Sequence, residues 1–214
     1  MKLGLACDGG SPPPRLVDLL EQAGLPASAV RAVAGPALVD ADGVTWLLAP
    51  GADVLEACVR GALDAGVAGK DLLLELAPPV HELLDLRVSE DALVFATPQP
   101  GAGAVRRGRP RVATRYPLVT RRHFALTGRQ VELVAFDATP VAPGLGLADG
   151  VVELRSRLVL SDAISAGRPA GLLVREEIAA CSARLVVGRA ARALGGERLT
   201  GLVERLRAAR ATPT

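Results

Sequence analysis

The sequence predicts an α/β protein of two lobes, with mixed, mostly parallel sheets around a cleft, and three observations predict it. Half of the 214 residues are apolar and 22% are charged, a balance that supports packed cores of ordinary size. Short apolar runs closed by Gly or Pro alternate with stretches of helical periodicity, as in strands joined through helices. The last strand and helix of this pattern return past a mid-chain block, so two crossings connect the lobes, the layout of a hinged cleft. The first lobe is read as residues 1–88 with 176–214, and the second as 89–175. Ligands of open α/β sheets sit at the carboxyl ends of strands, which makes the cleft the expected site.

Lys2–Cys7 is an apolar run closed by Gly9-Gly10, hence a first strand. Arg15–Ala23 sets Leu16, Leu19, Leu20 and Ala23 on one helical face, with Gly24 as the stop. Val44–Ala49 is a strand, and Val54–Leu63 a helix that Asp53 would cap. Gly66–Ala68 is a short buried strand that turns at Gly69-Lys70-Asp71 into Leu72–Leu76. Leu84–Val88 and Ala92–Thr97 read as strands, and Pro98–Pro110 as a loop of Gly, Pro and Arg. Arg111–Thr114 is a strand, Pro117–Leu126 a helix, Val131–Phe136 a strand, Thr139–Leu145 a turn and Gly150–Leu154 a strand. Ile178–Val187 is strand-like, and Arg189–Arg210 is a long amphipathic helix with Leu194, Leu199, Leu202, Val203 and Leu206 inward.

Composition excludes several function classes. Aromatic residues make up only 2%, with Trp46 and Tyr116 each the sole example of its type, which argues against modules that stack nucleic-acid bases. The net charge of +2 sets up no field for a polyanion. No stretch approaches the roughly 20 apolar residues of a membrane span, and the N-terminal run is too short for a signal peptide. Cys7, Cys58 and Cys181 lie too far apart for a metal knuckle or a disulfide framework. A cytoplasmic location follows, with neither nucleic acid nor membrane as partner.

Three segments carry chemistry. In Gly61–Glu75, Gly69 lets the backbone turn tightly between strand and helix and leaves N–H groups to meet an anion; the plainer alternative is a simple turn with Lys70 solvated. In Arg111–Pro117 (RVATRYP), Pro117 suits the first helical position, and Arg115 stands near the strand's carboxyl end, where a phosphate can be met. In Ala142–Leu154 (APGLGLADGVVEL), Gly144-Leu145-Gly146 is half a dinucleotide fingerprint without the preceding strand. Asp149 and Glu153 flank its strand; they are candidates for ribose hydroxyls or Mg²⁺, or they cap the strand ends. His81 and His123 lack partners at ligand spacing, no GxSxG elbow is present, and the cluster Arg106, Arg107, Arg109, Arg111 reads as a solvated basic loop.

In this order, GVAGKDLLLE, RVATRYP, APGLGLADGVVEL and CSARLVVGR resemble the "GxxGKDxL", "RxATKYP", "APxxGLADxIVDL" and "SARLxVN" elements of the catalytic subunit of short-form ATP phosphoribosyltransferase, from about Gly61 to the C-terminus. The resemblance implies a two-lobed fold like that of type II periplasmic solute-binding proteins, and the first step of histidine biosynthesis. There, N1 of the ATP adenine displaces pyrophosphate from phosphoribosyl pyrophosphate with Mg²⁺. It also implies a homodimer and a regulatory subunit resembling a histidyl-tRNA synthetase. Carried over residue by residue, Gly69, Lys70, Asp71, Arg115 (for the family's Lys), Asp149 and Glu153 (for its Asp) would contact substrate, and Glu153 would also hold the metal.

The chain departs from the family where phosphate is bound. Arg155-Ser156-Arg157-Leu158-Val159-Leu160-Ser161 stands in place of a Ser/Thr-Gly-x-Thr loop, which leaves Arg155, Ser156 and Arg157 as the candidate phosphate contacts. Cys7-Asp8-Gly9-Gly10 replaces a Pro-Lys-Gly-Arg element, putting an anion where a polyphosphate meets a cation, a repulsion on the order of several kcal/mol. The family's Glu ahead of "AP" is Pro140. Two readings follow: a divergent ATP phosphoribosyltransferase, or a non-catalytic relative that keeps the scaffold for assembly or for another small ligand.

Overall fold

A computed structural model describes residues 1–7, 10–99, 108–164 and 171–211, with the backbone alone over 160–164. In chain order it forms β1 (Lys2–Ala6), α1 (Pro14–Gln22), β2 (Ala37–Ala41), β3 (Val44–Ala49), α2 (Gly51–Val59), β4 (Ala65–Gly69), α3 (Lys70–Leu76) and β5 (Val80–Asp85). There follow β6 (Asp91–Pro98), β7 (Arg111–Thr114), α4 (Pro117–Leu126), β8 (Glu132–Ala135), β9 (Gly150–Leu154), α5 (Arg155–Ile164) and β10 (Leu172–Cys181). The chain closes with β11 (Ala183–Gly188), α6 (Arg189–Leu194) and α7 (Gly196–Ala211). These elements divide into two compact units, Met1–Glu90 with Ser182–Thr214, and Asp91–Cys181.

The first unit has one sheet in the order β2-β3-β1-β4-β11-β5. β1 runs parallel to β3 and β4, while the outer pairings are antiparallel. The hairpin at one edge is made by Asp42-Gly43, both at positive φ (43° and 76°), the two-residue turn whose twist matches paired strands. Strand alternation then splits the core. Leu3, Leu5, Trp46, Leu185 and Val187 face a cluster with Leu16, Leu20, Leu202 and Leu206 of α1 and α7. Val186 and Ala68 face Val54, Leu55 and Cys58 of α2. Burial pushes the Cys58 thiol up to about 11, so it packs as an inert small hydrophobe.

Two expected elements come out differently in this unit. The backbone at Arg87 and Ser89 takes φ of 53° and 54°, which no strand accommodates, so β5 ends at Asp85 and begins earlier than the expected run. The expected long C-terminal helix breaks at Gly195-Gly196, with Gly196 at φ 43°. Leu194 therefore ends α6 and is 85% exposed, while Leu202 and Leu206 of α7 are buried.

The second unit has a sheet in the order β10-β6-β9-β7-β8, with β7 parallel to β8 and β9 and the remaining pairings antiparallel. Parallel pairs thus form the centre of the first sheet and one half of the second. Ala92, Val94, Ala96, Ala113 and Val151 line one face beneath Leu158 of α5; Val112 and Val152 line the other beneath Phe124 of α4. The strand expected across Ile178–Val187 is two strands broken at Ser182, one in each unit's sheet.

α4 is tied to β10 by one carboxylate. Glu176 meets His123 Nε2 at 2.8 Å and accepts both guanidinium ends of Arg129 at 2.6 Å, and that guanidinium also lies 4.6 Å from the Phe124 ring centroid. The Arg129 hydrogen bonds chiefly hold the Glu176 carboxyl below the usual carboxylate range, against the opposing effect of its burial. A depressed folded pKa adds stability above the unfolded value, and that stability is lost as pH falls through the folded value. Glu176→Gln is therefore expected to be less stable than the wild type at neutral pH and to lose less stability on acidification below the ordinary glutamate value, measured by urea titrations across pH.

Candidate functional site

In the first unit, β4 hands the chain to α3 through Gly69-Lys70-Asp71. A Cβ at Gly69 would overlap Asp71 Oδ1, the tip of a side chain that folds back over the turn, so a larger residue here would push that carboxylate aside. The Lys70 N–H, expected to meet an anion, donates instead to the Ser182 carbonyl at 3.0 Å. The Lys70 ammonium points to Glu82, donating to Oε2 at 2.6 Å. Arg184 Nη1 donates to Glu82 Oε1 at 2.9 Å, and its Nη2 lies 3.1 Å from Asp85 Oδ2. Glu82 and Arg184 were missed in the sequence; Arg184 lies inside the SARL element, but nothing local marks Glu82.

In the second unit, the turn from β7 to α4 is a closed hydroxyl network. Buried Thr114 and Thr120 share a hydrogen bond of 3.0 Å, the Tyr116 N–H donates to Thr114 Oγ1 at 2.8 Å, and Thr120 Oγ1 donates to the Tyr116 carbonyl at 2.6 Å. This fixes the backbone that carries Arg115, whose Nε lies 3.8 Å from the exposed Asp137. The register pairs Thr114 with Val152 and with Ala135, so Arg115 and Glu153 each follow these partners at the carboxyl edge of the parallel strands.

Asp149 stands elsewhere. It precedes β9 at the opposite edge, where Oδ2 accepts the Arg111 N–H at 2.8 Å and its own N–H donates back to the Arg111 carbonyl at 2.8 Å. Four residues of extended chain put it about 13 Å from Glu153. The structure does not bring the two carboxylates together.

Glu153 is fully buried. Its Oε2 accepts the Thr139 hydroxyl at 2.5 Å, its Oε1 accepts the Leu154 N–H at 2.9 Å, and Arg157 Nε lies 3.9 Å away. Magnesium prefers open oxygen ligands and keeps several waters. A carboxylate with no solvent access and both oxygens already accepting hydrogen bonds does not fit that donor set, which corrects the expectation that Glu153 holds the metal. Among the described residues, no group of three or more His, Cys, Asp or Glu side chains is placed to hold a metal ion.

The segment expected to replace a phosphate loop is the first turn of α5, and a carboxylate of the chain already occupies it. Asp91 accepts the Ser156 hydroxyl at 2.5 Å and the Ser156 N–H at 3.3 Å. Arg155 Nη2 donates to Glu177 at 2.9 Å, and Arg157 is 41% exposed. Asp8 and Gly9 of the N-terminal element, and Arg106 and Arg107 of the basic loop, lie outside the described residues.

The family profile for ATP phosphoribosyltransferase (HisG) matches residues 50–208. ATP phosphoribosyltransferase of Symbiobacterium thermophilum is 37% identical over 213 residues, covering 95% of this chain and 92% of that protein. The enzyme of Geobacillus kaustophilus is 37% identical over 174 residues, covering 79% of each. Among solved structures, a chain of the ATP phosphoribosyl transferase (HisG:HisZ) complex of Thermotoga maritima superposes with a TM-score of 0.75 at 22% identity, covering 98% of both chains. A periplasmic His/Glu/Gln/Arg/opine family-binding protein of Silicibacter pomeroyi gives 0.59 at 17% identity, covering 97% of this chain and 89% of that one. The fold is thus shared with type II periplasmic binding proteins.

Proposed function

The chain belongs to the ATP phosphoribosyltransferase (HisG) family, and from that premise we propose how its own residues serve the transfer. The reaction joins N1 of the ATP adenine to C1 of phosphoribosyl pyrophosphate. The bond from C1 to the pyrophosphate oxygen breaks, pyrophosphate leaves, and the product opens histidine biosynthesis. Positive charge develops on the sugar ring while a polyanion departs, so the protein's work is positioning and electrostatic stabilisation.

The observation that carries this reading is where the retained residues lie. Lys70 follows the carboxyl end of β4 and Arg115 that of β7, each on backbone locked by its own turn chemistry. These cations meet substrate phosphates. Buried Glu153 acts from beneath, tying the Thr139 turn to β9 and so shaping the edge on which Arg115 and Arg157 stand. Magnesium belongs, in this reading, to the pyrophosphate oxygens of the donor and receives no ligand from Glu153. No helix among the described residues is long and apolar enough to cross a membrane. A cytoplasmic enzyme, a homodimer and a regulatory partner resembling a histidyl-tRNA synthetase complete the proposal; the solved HisG:HisZ complex of Thermotoga maritima supports the last of these.

The test is turnover. The purified chain, alone and mixed with its cognate regulatory subunit, is given ATP, phosphoribosyl pyrophosphate and Mg²⁺, and is expected to release phosphoribosyl-ATP and pyrophosphate. No product under either condition overturns the assignment and leaves a scaffold that has lost its chemistry.

A further inference from the structure

We propose that Lys70 and Arg184 form one anion site for a pyrophosphate-type group, and that Glu82 fills it as an internal stand-in until the ligand displaces it. The inference rests on the phosphoribosyltransferase reading for its choice of ligand, and on geometry for the site itself.

Three adjacent strands build the arrangement. The register pairs Ala183 with Gly69 and Arg184 with Ala68 on one side, and Val186 with Glu82 and Arg184 with Asp85 on the other. Lys70, just past β4, and Arg184 on β11 thereby converge on a single carboxylate from β5. Each Glu82 oxygen takes one cation, Lys70 Nζ at 2.6 Å on Oε2 and Arg184 Nη1 at 2.9 Å on Oε1. One ammonium and one guanidinium fork on two oxygens of the same anion is an arrangement that a phosphate group satisfies equally well.

The two acidic residues here are not equivalent. Asp85 is anchored: its Oδ1 accepts the Ser182 hydroxyl at 2.7 Å and the Arg87 N–H at 2.9 Å, and its Oδ2 lies 3.1 Å from Arg184 Nη2. Its carbonyl also accepts Arg210 Nη1 at 2.6 Å. Asp85 therefore keeps Arg184 in place whatever happens to Glu82. Among the described residues, the side chain of Glu82 bonds to the two cations alone, and it is 31% exposed, so it can turn to water without breaking the fold. A dianion outcompetes a monoanionic carboxylate for two positive charges, and displacement leaves Arg184 still held by Asp85.

The experiment is calorimetric titration of the full chain with inorganic pyrophosphate at low ionic strength, without nucleotide or metal. Glu82→Gln keeps the side-chain shape and removes the competing charge. It is expected to tighten binding about fivefold, as removal of a competitor with the strength of an exposed ion pair would. Lys70→Ala is expected to weaken binding, and the gain from Glu82→Gln should vanish when the two are combined. Lys2 and Lys70 are the only lysines, so reductive methylation with a ¹³C label yields two side-chain signals, of which the Lys70 signal should shift on adding pyrophosphate. Unchanged or weaker binding by Glu82→Gln, or a Lys70 signal that stays still, overturns the proposal and leaves a static bridge. The outcome is separable from turnover: a chain that makes no phosphoribosyl-ATP yet binds pyrophosphate more tightly as Glu82→Gln upholds this site while the activity falls. Turnover without that gain does the reverse.

Discussion

Gly188→Ala is expected to destabilise the first unit severely. Gly188 ends β11 where the strand passes against α2, and a Cβ there would overlap the Cys58 carbonyl oxygen and lie 2.8 Å from its carbonyl carbon. The obstacle is helix backbone, which cannot rotate away as a side-chain tip would. Relief requires β11 or α2 to move, and both pack in the cluster of Val54, Leu55, Cys58 and Val186. Overpacking of this kind costs about 3 kcal/mol or more, a large part of the stability of a domain this size. Trp46, the sole tryptophan, is fully buried in this unit, and the sole tyrosine, Tyr116, is buried in the other. Urea titration followed by tryptophan fluorescence should show the midpoint fall sharply, with the tyrosine signal of the second unit less affected. A tryptophan transition unchanged from wild type would show that the strand has room that the geometry denies it.

Thr139→Val should strike the second unit. The substitution keeps the shape and removes the hydroxyl that donates to Glu153 Oε2 at 2.5 Å, in a position where both residues are fully buried. Withdrawing the donor from a fully buried carboxyl acceptor costs about 2 kcal/mol. For a unit of this length, that lowers the melting temperature on the order of 10 °C. Restoring a hydroxyl with Thr139→Ser should recover most of the loss, which a pure packing defect would not. A Thr139→Val variant as stable as the wild type would mean that Glu153 does not depend on this turn.

Much of the architecture was legible because it is written in local chemistry. The strands at Val44–Ala49, Arg111–Thr114 and Gly150–Leu154, and the helix at Pro117–Leu126, lie where apolar runs, Gly stops and a proline at the first helical position put them. β2 escapes the sequence reading although its signal is present: Asp42-Gly43 ahead of an apolar strand marks a hairpin, but the run before it is only five residues long and carries Leu38 on its exposed face, which blurs the alternation. β10 and β11 read as a single strand because nothing within the run marks the break at Ser182; the break is made by pairing with different sheets. Helix α2 starts at Gly51 behind Pro50, so Asp53 lies in its first turn, where a carboxylate favours the helix dipole without capping it.

The candidate site was legible as a set of residues but not as a set of contacts. Gly69 and Lys70 match the resembled motif outright and Arg115 and Glu153 stand for its Lys and Asp, while Asp149 shares the motif of Glu153 yet sits at the far edge of the same strand. By itself, the sequence determined the alternation of strands and helices, the turn chemistry at Gly69 and Pro117, and the family those segments mark. Only the tertiary structure decided which carboxylate meets which cation or hydroxyl. Glu82 reaches Lys70 across 12 residues and Arg184 across 102, and Asp91 reaches Ser156 across 65. Such pairs are set by sheet register and strand order, quantities that arise only once distant segments have chosen their neighbours.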